Sequence, residues 1–183
     1  FTFVATVNPI FYTGAGPILL DADRETCNVP LSRVREAVET LEKEEGHPPR
    51  ALVLAHVYGI CGDLESLAKY CREKGILFIE DAAEAVGSYF RDRPLGSFGD
   101  AAIFSFNGNK VITTGGGGMV VSNDREVVEK VRFLSTQARE NAAHYEHEEI
   151  GFNERMSNVL AAIGRAQLRR LPSFLNARAR HRA

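Results

Sequence analysis

The stretch ILFIED, Ile76–Asp81, is a short apolar run that closes on two acids. AAIFSFNGNK, Ala101–Lys110, is a second apolar run, closing on a polar loop and a lysine. Short apolar runs bounded by polar or glycine-rich turns read as buried strands. Working outward, Ala51–Val57 (ALVLAHV) is a further strand of this kind. Pro30–Glu44 carries Leu31, Val34, Val38 and Leu41 at spacings of three and four, which predicts a helix broken by Gly46, His47, Pro48 and Pro49. Leu64–Lys74 predicts a second helix, ending at Gly75. Strands alternating with amphipathic helices predict an α/β fold, a mainly parallel sheet with flanking helices in three α/β/α layers.

The remaining elements are expected as follows. The opening FTFVATVNPIF is strand-like, and Pro17–Asp21 (PILLD) reads as a short buried strand. Ala82–Val86 suits a turn of helix, and Tyr89–Leu95 a hairpin around Arg91-Asp92-Arg93-Pro94. Met119–Ser122 (MVVS) follows four glycines as a strand, while Asp124–Leu134 and Ser157–Leu171 are helical. The basic run Asn176–Ala183 is also expected to be helical. With no repeat and no low-complexity linker, residues 1–183 are expected to form one domain, burying roughly 70% of the surface of the unfolded chain. The first residue is not Met and no stop signal closes the last helix, so the domain is expected to be incomplete at both ends.

Composition narrows the class. Hydrophobic residues at 44% and charged residues at 25% are those of a soluble globular protein. A net charge of −2 gives no electrostatic case for nucleic acid or an anionic membrane as partner. Polar residues interrupt every hydrophobic stretch well short of the roughly 20 residues that span a bilayer. The N-terminal segment has neither a basic leader nor a cleavage site, so no signal peptide is expected. Cys27, Cys61 and Cys71 are odd in number and lack a C-x-x-C pair, which favours reduced thiols in a cytoplasmic protein. His144-Tyr145-Glu146-His147, followed by Glu148 and Glu149, could present two histidines on one helical face to a metal; a run this polar reads instead as a solvated loop.

In open α/β sheets, ligands bind beyond the carboxyl ends of the strands. Asp81 follows ILFI, and Lys110 follows AAIFSF after Asn107-Gly108-Asn109. If the two strands are parallel neighbours, the acid and the lysine lie over one sheet edge. That pair suits pyridoxal 5'-phosphate: the amine bonds the aldehyde carbon and shuttles protons, while the carboxylate holds a proton on the pyridine nitrogen. Lysine can give up its proton when desolvated; arginine cannot. Ser105, five residues before Lys110, offers a hydroxyl to a phosphate, and Gly115–Gly118 would let the chain turn closely beneath a cofactor. Neither G-x-G-x-x-G nor G-x-x-x-x-G-K-[ST] is present, which disfavours those nucleotide folds. Each feature has a plainer alternative: Asp81 and Glu84 as a helix capping box, Lys110 as a surface lysine, the glycines as a flexible turn.

Six segments in order then resemble one family: FTFVATVNPIFYTGAGPILLDAD, HVYG at His56–Gly59, IEDAAEAVGS, LGSFGDAAIFSFNGNK, TTGGGGMVVSND and GFNERMSNVLAAIGRAQL. They are similar to the DegT/DnrJ/EryC1/StrS sugar aminotransferases, on the large cofactor domain of the fold-type I pyridoxal-phosphate transferases. The resemblance implies that Lys110 is the Schiff-base lysine, Asp81 the partner of the pyridine nitrogen, and Ser105 a phosphate ligand, with Asn107 beside it as a further cofactor-binding residue. It puts Phe3 where an aromatic stacks on the ring, the alternative being a core phenylalanine. Glu84 falls where the family carries His, Gln or Glu close to the ring and the substrate amine. Asn153 matches an asparagine that reaches the phosphate of a partner subunit's cofactor, which implies a homodimer with shared active sites and makes HYEHEE a loop crossing toward that partner.

The implied activity is transfer of an amino group from an amino acid, glutamate in the nearest branch, to the C4 keto carbon of a nucleotide-linked sugar. FSFNGNK followed by TTGGGG resembles the branch acting on UDP-linked 4-keto-6-deoxy-N-acetylhexosamines. Relatives that dehydrate sugars carry histidine in place of the lysine, so Lys110 argues against a dehydratase. A non-catalytic or regulatory module on the same scaffold is the other alternative. Family members are longer: an upstream phosphate-binding Gly-Thr or Gly-Ser turn and a small C-terminal domain have no counterpart in residues 1–183.

Overall fold

The computed structural model describes residues 2–182, and the chain divides into two compact units, the first ending at Phe104 and the second starting at Ser105. The division falls inside a strand, where composition carries no break.

The first unit contains α1 (Val4–Tyr12), α2 (Leu31–Glu45), β1 (Ala51–Ala55), a 3-10 turn at Val57–Gly59, α3 (Leu64–Lys74) and β2 (Leu77–Asp81). A small hairpin, β3 (Tyr89–Phe90) with β4 (Arg93–Pro94), leads into β5 (Ala101–Ser105). The helices stop where the sequence says they should. Gly46 and Gly75 take left-handed conformations at φ 81° and 68°, open to glycine without a Cβ penalty. Asp63 caps α3 by accepting from the Ser66 backbone N–H at 3.2 Å.

β1, β2 and β5 are parallel neighbours. Ala51–Ala55 runs in register with Leu77–Asp81, and Ile79, Glu80 and Asp81 stand opposite Ala101, Ala102 and Ile103. Because side chains alternate along a strand, Leu54, Glu80 and Ala102 share one face, while Ala55, Asp81 and Ile103 share the other. Val34 and Val38 of α2, with Leu64, Leu67, Tyr70 and Cys71 of α3, pack with Leu54 and Phe78 into the core. Burial of each large apolar side chain there stabilises the fold by about 1.5–3 kcal/mol.

Three local expectations are overturned. The opening segment is helix α1, although Val4, Thr6 and Val7 favour strands; a strand needs a ladder partner, whereas a helix satisfies its own backbone. Pro17–Asp21 takes no regular structure, with Ile18 and Leu19 exposed. Ala82–Val86 forms turns, not a turn of helix.

The second unit holds β6 (Gly118–Val121), α4 (Arg125–Ser135) and α5 (Asn158–Arg182). Asp124 caps α4 by accepting from Glu126 N–H at 2.8 Å. Helix α5 continues through Pro172 beyond the expected stop at Leu171. A proline removes one helical hydrogen bond, and the good helix formers on both sides carry the helix past it. The expected helix over Asn176–Ala183 is present to Arg182; Ala183 lies outside the described residues, as does Phe1 of the opening segment. Residues 144–149 form the expected loop, tied back by Lys130 to Glu149 at 2.6 Å. Among the described residues, no group of His, Cys, Asp or Glu is arranged to hold a metal, and no helix is long and apolar enough to cross a membrane.

Candidate functional site

Asp81 ends β2 on the sheet face opposite the α2–α3 layer, and two donors hold its carboxylate. The Thr6 hydroxyl donates to Oδ2 at 2.6 Å, and the Ala83 backbone N–H donates to Oδ1 at 3.2 Å. The Thr6 oxygen in turn accepts from the Thr2 hydroxyl at 3.0 Å. Phe3 is the N-cap of α1, and its carbonyl accepts the Thr6 N–H at 3.0 Å. Phe3 is 73% exposed. No helix begins at Asp81, so the capping-box alternative fails. The Glu84 carboxylate instead accepts the Tyr58 N–H at 2.8 Å. Tyr58 sits at φ 58°, a conformation that is strained for a bulky residue and cannot persist without such support.

Directly behind Asp81 lies a residue that the sequence reading did not single out. Glu80 is fully buried on the covered face and gathers four donors. His56 Nε2 and Gly96 N–H approach Oε2, each at 2.8 Å; Phe98 N–H and Gly99 N–H approach Oε1 at 2.6 and 2.7 Å. Burial pushes the Glu80 carboxyl up, but the His56 hydrogen bond and the Gly99, Gly96 and Phe98 N–H groups outweigh it, and the group titrates below its ordinary range. An acceptor-only carboxylate requires the hydrogen on His56 Nε2, and Nδ1 is left buried without a partner. The signal was present in the sequence: an acid within an apolar strand, two residues from a core phenylalanine, falls on the buried face and must be paired.

In the second unit, Ser105, Asn107 and Lys110 belong to one closed loop. Ser105 Oγ accepts from Asn107 N–H at 3.3 Å, and the Asn107 carbonyl accepts from Lys110 N–H at 3.1 Å. The loop closes on Phe106, whose N–H donates to the Gly117 carbonyl at 2.9 Å and whose carbonyl accepts from Thr114 N–H at 3.0 Å. Asn107 also bridges Gly115. Gly117 has φ 91°, and a Cβ there would come within 2.9 Å of the Met156 methyl, so the turn requires glycine. Lys110 is half-buried. Asn153 is exposed; its segment is stitched to the end of α4 by a bridge to Thr136 and by Phe152 N–H donating to Leu134 at 2.7 Å.

Thr6, three residues after Phe3, ties the start of α1 to Asp81 in the first unit, and Ser105, Asn107 and Lys110 lie on one loop in the second. Both sets fit pyridoxal phosphate. A carboxylate has acceptor sites beyond the two held by Thr6 and Ala83, as a pyridinium N–H requires. Ser105 Oγ uses a lone pair on Asn107, which leaves its hydrogen for an anionic acceptor.

Comparison with known proteins agrees. The sequence model of the DegT/DnrJ/EryC1/StrS aminotransferase family matches residues 1–183. EpsN of Bacillus subtilis, named as a pyridoxal phosphate-dependent aminotransferase, is 48% identical over 168 residues, 92% of this chain and 43% of that protein. GDP-perosamine synthase of Caulobacter vibrioides is 41% identical over 179 residues, covering 98% of this chain and 46% of its own. The crystal structure of the aminotransferase TlmJ from Streptoalloteichus hindustanus superposes with a TM-score of 0.84 at 35% identity, over 94% of this chain and 45% of that one. The chain spans a little under half the length of these relatives.

Proposed function

The chain belongs to the DegT/DnrJ/EryC1/StrS aminotransferase family, and from that premise we propose that it carries the cofactor chemistry of a nucleotide-sugar aminotransferase. The reaction moves an amino group from an amino acid to a keto carbon of a nucleotide-linked sugar. Pyridoxal phosphate, when bound, supplies an electron sink and a carrier for the amino group. Lys110 Nζ would be the amine that holds the cofactor and carries protons at the site. Asp81 accepts the hydrogen bond of the pyridine nitrogen and keeps that nitrogen protonated. Ser105 would hold the phosphate, Asn107 would contribute to cofactor binding beside it, Phe3 would supply an aromatic for the ring, and Glu84 would serve the ring and the substrate amine. Asn153 serves the site of a second copy, so the active form is a homodimer. The free thiols of Cys27, Cys61 and Cys71 support a reducing, cytoplasmic setting.

The observation that carries this reading is the pinned loop with Lys110 and Ser105 on it, in a chain similar to EpsN and TlmJ, both named as aminotransferases. Lysine at this position opposes the dehydratase alternative. The acceptor we propose is a UDP-linked 4-keto-6-deoxy-N-acetylhexosamine, aminated at C4 with glutamate as donor. Similarity to GDP-perosamine synthase makes a GDP-linked keto sugar the competing acceptor.

The test is an absorbance spectrum of the full chain with pyridoxal phosphate, before and after borohydride, followed by peptide mass mapping. A near-visible band trapped on the Lys110 peptide, and lost in Lys110→Ala, is expected. A lysine-linked band that survives Lys110→Ala would remove the assignment. Bleaching of the band by glutamate separates a transaminase from a non-catalytic module. Its return on adding UDP- or GDP-linked keto sugars ranks the acceptors.

A further inference from the structure

The hydroxyl chain that ends on Asp81 has no part in the roles assigned above. Thr2 donates to Thr6, and Thr6 donates to Asp81 Oδ2 at 2.6 Å across 75 residues of sequence. A hydroxyl bonded to a carboxylate at this distance makes a charge-assisted hydrogen bond, stronger and more directional than one between neutral groups. Ala83 N–H holds the other oxygen, so the carboxylate plane is fixed from both ends. The bond is not a by-product of helix burial, since α1 buries none of its residues. The Thr2 hydroxyl occupies a lone pair of the Thr6 oxygen, which directs the Thr6 hydrogen toward the carboxylate.

We propose that Thr6 is a positioning residue of the cofactor site: its hydroxyl, oriented by Thr2, holds Asp81 Oδ2 and thereby sets the carboxylate plane that the pyridine nitrogen meets. This rests on the assignment of Asp81 to that nitrogen. A carboxylate free to rotate would meet the ring in many orientations, and its ordering would then be charged against binding. With Thr6 in place the orientation exists before the cofactor arrives. Thr6 acts only through Asp81, so its contribution should vanish when the carboxylate is absent.

The experiment measures the dissociation constant of pyridoxal phosphate for the full chain by absorbance titration of the apo form. It compares the unsubstituted chain with Thr6→Val, Thr6→Ser, Asp81→Ala and the double variant Thr6→Val/Asp81→Ala. Urea midpoints of the apo forms are recorded alongside. Thr6→Val should weaken binding about tenfold, the scale of one hydrogen bond to a charged group. Thr6→Ser, which keeps the hydroxyl, should stay within about twofold of the unsubstituted chain, and Thr6→Val in the Asp81→Ala background should change binding by less than about twofold. Equal loss in both backgrounds, or loss in Thr6→Ser as large as in Thr6→Val, overturns the positioning role and leaves Thr6 as a seat for α1. Failure of the unsubstituted chain to bind overturns the Lys110 and Asp81 assignments, and this one with them.

Discussion

Replacing Glu80 by glutamine keeps the volume of the side chain and removes one acceptor oxygen from a site where all four approaching groups are donors. An amide nitrogen at the Oε1 position would face both Phe98 N–H and Gly99 N–H. At the Oε2 position it would face Gly96 N–H and His56, and the imidazole can change tautomer to accept at Nε2. The second arrangement is cheaper, yet it strands Gly96 N–H and moves a hydrogen onto Nδ1, which is buried without a partner. One lost hydrogen bond to a charged acceptor costs about 1.5–3 kcal/mol, and a buried unsatisfied donor about 1–3 kcal/mol. A net loss of about 2–4 kcal/mol is expected, a large share of the 5–15 kcal/mol typical of a folded domain. Urea unfolding followed by circular dichroism measures it as a lower midpoint at unchanged slope. The pH dependence supplies an independent check. The folded carboxyl titrates below its ordinary value of 4.5, so its stabilisation is complete above that value and is lost as the pH falls through the lower folded value. The acid limb of the stability curve should therefore flatten in Glu80→Gln. A loss below about 1 kcal/mol, or an unchanged acid limb, would refute the four-donor account.

Other residues give further tests. Asp81→Ala should retain the fold but hold pyridoxal phosphate weakly and turn over no substrate; unchanged activity would remove Asp81 from the mechanism. Cys71 is buried, and burial, with Asp100 adding to it, pushes its thiol up to about 11, whereas Cys27 is exposed. Near pH 8 a disulfide reagent should therefore titrate Cys27 first and reach Cys71 only in denaturant; equal rates would contradict the packing of α3. Gly99→Ala should destabilise the first unit by about 1–3 kcal/mol, because its Cβ would lie 2.5 Å from the Phe78 carbonyl oxygen. Gly116→Ala, with no atom within 4 Å of its Cβ, is the neutral control for thermal unfolding.

What the sequence made legible was local. Helices α2 and α3 followed from three- and four-residue spacings and from Gly46 and Gly75 at their ends, and Leu64–Lys74 was located to the residue. Strands β1, β2 and β5 followed from apolar runs between turns, and their adjacency, conditional in the sequence, is observed. The misreadings arose where the outcome depended on a partner. PILLD has strand composition but takes no strand, and the β-branched start of α1 coils into helix. The same holds at the site. Ser105, Asn107 and Lys110 are close in sequence and could be found together. Glu80 is matched to His56 over 24 residues and Thr6 to Asp81 over 75, separations that no local pattern encodes.

Glu80 and Asp81 show how much of the chemistry register decides. In the sequence they are adjacent acids at the end of one apolar run, with nothing in composition to separate them. The parallel ladder sets Glu80 beside Leu54 and Ala102 and sets Asp81 beside Ala55 and Ile103, on opposite faces. On the covered face a carboxylate can persist only if saturated with donors, and four are supplied, so Glu80 has little capacity left for a ligand. On the other face Asp81 is held by two donors and keeps acceptor capacity. A slip of one residue would exchange the two environments. The donor network around Glu80 opposes that slip, since it fits a carboxylate at position 80 and no other in the strand. The buried acid thus favours the register, and the register delivers its neighbour to the opposite face with acceptor capacity to spare.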